Sequence, residues 1–154
     1  MPARFHAVGF RELAAHLTLL SRGPSRLFAR VLFKSGKRSA EQNAGIAKRQ
    51  AELGRNPWFL APSERDAVGR RLKAALAGLQ RGHLTAALVE MSTAGWLIVT
   101  RFQRHIDLQK DLGGRLAPIS KETAARKRKI GQPAKALEAS GELKHALTVE
   151  VGRV

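Results

Sequence analysis

Histidines, carboxylates and one dense run of cations are the side chains in this 154-residue chain with chemistry to offer. The five histidines, His6, His16, His83, His105 and His145, show no H-x-x-x-H or H-x-H spacing and no acidic cluster beside them to complete a metal shell. Each therefore reads as a surface or capping residue. With zero cysteines there is no thiolate nucleophile, thiolate metal site or disulfide. Gly113 and Gly114 precede Arg115 without the lysine-serine or lysine-threonine ending of a phosphate-binding P-loop, and they read as a flexible turn. No G-x-S-x-G elbow is present, and Ser140-Gly141 is accounted for by helix capping. These patterns predict no enzyme, and no catalytic, cofactor-binding or metal-ligating residues.

The cations point elsewhere. Lysine and arginine number 28 against 12 aspartates and glutamates, a formal charge of +16. The excess is +8 over residues 1–55, +3 over 56–111 and +5 over 112–154, so no single tail holds it. Such a balance attracts polyanions or acidic proteins without specifying a nucleic-acid sequence. Its densest stretch is ARKRK, residues 125–129. On a helix Arg126 and Lys129 share one side while Lys127 and Arg128 fan away, giving a broad patch rather than a fork for a single base. A solvated helix face and a contact with a polyanion or acidic partner both fit Arg126, Lys127, Arg128 and Lys129.

The elements that must position these residues follow from periodicity. Residues 9–22 place Phe10, Leu13, Ala14, Leu17 and Leu20 on one face of an amphipathic helix that Gly23-Pro24 ends. Leu27, Ala29, Val31 and Phe33 alternate with Phe28, Arg30 and Leu32, as in a strand, and 34–39 reads as a polar turn. Residues 40–53 read as a helix with a weak alanine face, stopped by Gly54. In ELGRNPWFLAP, residues 52–62, Pro57 and Pro62 force an extended path that Pro57, Trp58, Phe59 and Leu60 anchor on the core.

Ser63 and Asp66 read as a capping box opening a helix to about Arg81, and Gly82 separates it from a second long helix. There Leu84, Leu88, Met91, Gly95, Ile98, Phe102 and Ile106 recur at spacings of four and three, with Gly95 placed to admit a close helix crossing. Residues 107–115 read as a loop. Pro118 disfavours helix at Ala117, Ser120 caps a helix over 121–129, and Gly131 and Pro133 stop it. Ser140 caps a final turn whose Leu143, Ala146 and Leu147 form a buried stripe, and Leu147, Val149 and Val151 alternate as a closing strand. The length suits one globular domain. The expected class is α+β and helix-rich: an antiparallel sheet packed with several helices, including a long helical hairpin. No signal-type apolar segment and no run of 18 uncharged apolar residues is present, so the expectation is a soluble, non-secreted chain with no membrane partner.

Two stretches, taken in order, carry a resemblance. Pro118, Ile119, Ser120, Thr123 and Lys127, followed by Ala136, Leu137, Ala139, Ser140, Gly141, Leu143, Ala146 and Leu147, resemble the C-terminal "P-L-S-x-x-T-x-x-x-K" and "P-L-x-D-T-G-x-L-x-x-S-I" segments of the bacteriophage virion-morphogenesis family, the neck or tail-completion proteins. Ala136 stands for the pattern's proline, Ala139 for its aspartate and Ser140 for its threonine. Upstream, Glu52, Leu53, Gly54, Pro57, Phe59, Leu60 and Pro62 follow the family's "E-F-G … P-x-R-P-F-L-R-P" stretch, with Trp58 as an insertion, and a helix pair lies between the two motifs as in the family's layout. The resemblance spans residues 30–151 and sets 1–29 apart as an N-terminal helical extension on a neck-like domain over 30–154.

The resemblance implies a structural virion protein of a tailed phage. Such a subunit forms a homo-oligomeric ring, a hexamer or dodecamer, in the head-to-tail connection, with a tail-completion or tail-terminator role. Implied partners are portal or adaptor and tail proteins, with non-specific contact to packaged DNA; the implied location is the virion, after assembly in the host cytoplasm. A ring subunit exposes two different complementary surfaces. Phe10, Leu13 and Leu17, and Leu137, Ser140, Gly141, Leu143 and Leu147, are the candidate subunit-interface residues. The alternative class is a small basic nucleic-acid-binding protein, supported by charge alone and lacking a helix-turn-helix or RNA-binding signature.

Overall fold

Alternating apolar residues near the two ends of the described chain form strands, and they form them with each other. The computed structural model describes residues 27–137 and 142–153. In chain order the elements are β1 (Leu27–Phe33), α1 (Ala40–Glu52), α2 (Pro62–Gln80), α3 (Leu84–Asp107), β2 (Lys110–Asp111), β3 (Gly114–Arg115), α4 (Lys121–Lys129), α5 (Glu142–His145) and β4 (Leu147–Arg153). The fold is α+β and helix-rich. The helix expected at 9–22, with Phe10, Leu13 and Leu17, and the cap expected at Ser140 lie outside the described residues.

β1 and β4 pair antiparallel, from Leu27 opposite Arg153 to Phe33 opposite Leu147. Because side chains alternate between faces, this register puts Leu27, Val31 and Phe33 together with Leu147, Val149 and Val151 on one face, which packs on α3. The opposite face carries Phe28, Arg30 and Leu32, with Arg30 directly across from Glu150. Residues 27–29 belong to β1, so the division drawn between residues 29 and 30 falls inside a strand.

The helical hairpin α2–α3 supplies the largest helix-on-helix contact, with α3 as the central rod. Met91, Gly95, Ile98, Phe102 and Ile106 are buried along it, as the four-and-three spacing predicts. Gly95 serves a different neighbour from the one expected. A Cβ there would lie 2.5 Å from Val149 Cγ1, so this glycine admits a strand, not a helix. Between the helices a Cβ at Gly78 would sit 3.4 Å from the Ala87 backbone nitrogen, an ordinary van der Waals contact that does not require glycine.

Cap chemistry also differs in two places. Ser63 does not open α2: Pro62 occupies the first turn, Ala61 is the cap residue, and Glu64 reaches back to accept from the Ala61 N–H at 2.8 Å. Proline at the first helical position has no N–H to leave unsatisfied and its φ is already helical, which moves the start upstream of Ser63. Ser39, read as part of a polar turn, caps α1 in a reciprocal capping box with Gln42. Ser120 caps α4 as expected, accepting from Thr123 N at 3.2 Å. Gly54 and Gly82 follow α1 and α2 with φ of 74° and 75°, the left-handed conformation that glycine takes without a Cβ clash.

The stretch read as a loop at 107–115 folds into a small antiparallel hairpin, β2–β3. Gln109 opens it at φ 52° and binds Ala136 in both directions: its Nε2 donates to Ala136 O at 3.0 Å and its Oε1 accepts from Ala136 N at 3.0 Å. A polar side chain thereby fixes the turn that leads to Leu137.

Candidate functional site

Trp58 is the pivot of the core, making edge-on contacts with Phe33 of β1 at 5.8 Å and Phe102 of α3 at 5.7 Å. Pro57 and Trp58 are buried, while Phe59 and Leu60 are half-buried, so the anchor expected from the proline-bracketed segment is present. His105 completes it. Its side chain lies inside at 4% exposure, which corrects its reading as a surface or capping residue. The ring stacks on Phe59 at 4.1 Å, and Nδ1 donates to the Pro57 carbonyl at 3.1 Å. Nε2 faces Glu64 Oε1 at 3.5 Å, and Arg101 approaches the same carboxylate at 3.8 Å. The cluster clamps residues 57–61 to α3. A carbonyl acceptor and an aromatic stack give the imidazole a structural role, and among the described residues no group of three or more His, Cys, Asp or Glu is placed to hold a metal ion.

The residues just before the clamped segment meet the next motif across 62 positions of sequence. Ala117 N donates to Gly54 O at 3.1 Å. Arg55 donates through Nε to Ala117 O at 2.9 Å, through Nη2 to Pro118 O at 2.8 Å and through Nη1 to Gln50 Oε1 at 2.9 Å. This guanidinium is spent on holding the entry to α4 against the end of α1.

Between those two helices runs an open groove of about 410 Å³. Ile46 and Gln50 of α1 form one wall; Ile119, Ser120, Thr123, Arg126 and Lys127 form the other; Leu137, Glu142 and Leu143 close one end, with Arg38 and Arg55 also lining it. Lys127 lies within this wall and donates to Lys135 O, tying α4 to the turn beyond it. Arg38 donates its backbone N–H to Glu142 Oε1 at 2.6 Å. In the first turn of α4, Glu122 is held below its ordinary 4.5 by a hydrogen bond from its own backbone and then by the Ser120 hydroxyl.

The sequence-predicted residues are thus redistributed. Arg126 and Lys127 enter the groove, whereas Arg128 and Lys129 are exposed and do not line it. Leu137 is half-buried at the groove end with φ 61°, an uncommon backbone for leucine. Leu143 and Leu147 are buried in this chain's own core. Ser140 and Gly141 lie outside the described residues. Arg38, Arg55, Ile46 and Ile119 were missed because nothing local to them differs from an ordinary surface; only the docking of distant segments brings them together.

Two further surfaces stand out. On the outer side of α3, Val89 is 59% and Trp96 47% exposed, one above the other at a spacing of seven. Their threonine neighbours Thr93 and Thr100 donate to Val89 O and Trp96 O at 2.9 and 2.8 Å, so this stripe presents apolar area and satisfied hydroxyls. On the outer sheet face the Arg30 guanidinium lies 4.7 Å over the Phe28 ring. Among the described residues no helix is long and apolar enough to cross a membrane. Comparison with protein-family models, curated proteins and solved structures finds no match.

Proposed function

We propose that this chain is a structural, non-catalytic virion subunit that closes into a ring in the neck of a tailed bacteriophage, in a tail-completion or terminator role. The observation that supports the reading most is the junction of the two resemblance-bearing stretches. Gly54 and Arg55 of the first bind Ala117 and Pro118 of the second through a backbone bond and a guanidinium. Segments that resemble one family in order also form one packed unit, with the helical hairpin between them.

A chain of +16 self-associates most readily where its surface carries no cation. From His83 to Thr100 the sequence has no lysine or arginine, and its one carboxylate, Glu90, is paired with Arg71 at 3.2 Å. The Val89–Trp96 stripe is therefore the face where neighbouring copies approach without charge repulsion. Electron microscopy and mass photometry of the purified chain test the reading. Closed rings are expected, and Trp96→Arg disperses them without changing the circular dichroism spectrum. A monodisperse monomer, or absence of the chain from purified virions, overturns it.

The net charge also supports a second reading, a small nucleic-acid-binding protein. Its stacking surface is poor, since Phe33, Trp58 and Phe102 are buried against one another. Tight duplex binding above physiological salt with a steep log-log salt slope would favour this second reading over the ring.

A further inference from the structure

We propose that the groove between α1 and α4 binds an acidic peptide segment of another protein, which sets apolar side chains on the groove floor and carboxylates against its cationic rim. The proposal stands apart from the ring and holds or fails without it.

Among the described residues four basic side chains, Arg38, Arg55, Arg126 and Lys127, line the groove against one carboxylate, Glu142. Arg55 is committed to Gln50, Ala117 and Pro118, and Lys127 to the Lys135 carbonyl. Among the described residues Arg38 and Arg126, which both line the groove, form no ion pair with a carboxylate. Fork-shaped guanidinium groups suit carboxylates held side by side.

Beneath this rim the surface is apolar: Ile46 from α1, Ile119 before α4, and Leu137 and Leu143 from the turn and α5. Ile46, Ile119 and Leu137 are each only half-buried, so each keeps unfilled contact area. Leu137 is held there by the two-way bond between Gln109 and Ala136, on a backbone at φ 61° that glycine or asparagine would adopt at less cost. A volume of about 410 Å³ accommodates a few side chains.

The mixture selects the occupant. A duplex presents phosphates along a wet, regularly repeating surface and gains nothing from an isoleucine and leucine floor. A second copy of this chain brings another +16 to a rim that is already cationic. An extended segment alternating acidic and apolar residues satisfies both parts of the groove at once.

Fluorescence anisotropy on the full chain tests this with three labelled probes: an octapeptide alternating glutamate and leucine, the same peptide with serine for leucine, and a 20-base-pair duplex. The glutamate-leucine peptide is expected to bind about tenfold tighter than the glutamate-serine peptide. Arg38→Glu and Arg126→Glu each weaken it about tenfold, and Leu137→Asn weakens it several-fold while keeping the left-handed backbone. Arg128→Glu, an equal change in net charge outside the groove, leaves it within about twofold. Equal binding of the two peptides, or equal losses for Arg126→Glu and Arg128→Glu, means generic charge and overturns the proposal. Displacement of the peptide by the duplex, with both dependent on Arg38 and Arg126, assigns the groove to nucleic acid and also overturns it. The ring assay is unaffected by any of these outcomes.

Discussion

Single residues in this chain matter most where one side chain joins elements that sequence keeps apart. Trp58 touches Phe33 and Phe102, so it joins β1, the proline-bracketed segment and α3. Trp58→Ala is expected to destabilise the fold by about 3–5 kcal/mol in urea titration, and Trp58→Phe by clearly less, because the cavity left behind is smaller. Gly95 tests packing against propensity. Alanine would favour helix by ~1 kcal/mol at an open site. Here its Cβ would press on Val149 Cγ1, a branched side chain with little rotamer freedom on a strand, and overpacking costs about 1–3 kcal/mol. Gly95→Ala is therefore expected to be net destabilising, and Val149→Ala in the same chain to recover part of the loss in a double-mutant cycle.

Elements stand or fall with their ends. α4 has no buried residue, so its caps and its ties to neighbours carry it. Ser120 caps it, Arg55 holds its entry and Lys127 secures its exit. Glu122 adds charge at the positive end of the helix dipole, and its carboxyl is held below the ordinary 4.5 by backbone and Ser120 hydrogen bonds. Because the folded value is depressed, its contribution is present above 4.5 and is lost as pH falls through the folded value. Glu122→Gln is thus expected to speed hydrogen exchange in α4 at neutral pH, and the difference between the two chains to shrink as pH falls below 4.5 and through the folded value. An unchanged exchange rate at neutral pH would remove Glu122 from the account of this helix. The clamp at His105 works in the same way on residues 57–61. His105→Phe keeps the stack on Phe59 but leaves the Pro57 carbonyl without its donor, at about 1–3 kcal/mol.

At the scale of the whole molecule, the first described strand needs the last. Among the described residues β1 pairs only with β4, and two strands without a partner face are marginal in water. Their stability comes from α3, against which both pack. A chain ending at Ala146 is expected to lose its cooperative thermal transition, because it exposes the inner face of β1 and opens the side of α3 shaped by Gly95. Retention of a sharp transition in that truncated chain would show that the helical hairpin folds without the sheet. The charge distribution belongs to this scale too: the groove is lined by Arg38, Arg55, Arg126 and Lys127, whereas the exposed Val89 and Trp96 lie in a stretch without lysine or arginine.

The sequence by itself determined the local elements. Period-two alternation marked β1 and β4, the four-and-three spacing marked α3, and Gly54, Gly82 and Ser120 marked helix ends, because each depends on neighbours within a turn or two. Pro57 to Leu60 were legible as an anchor because large apolar side chains between prolines have nowhere else to go. Only the tertiary structure decided which partner each surface meets. It gave Gly95 to a strand, placed His105 inside, and assembled a groove from Arg38, Ile46, Ile119 and Arg126. Those contacts join residues tens of positions apart, and local periodicity holds no information about separations of that length.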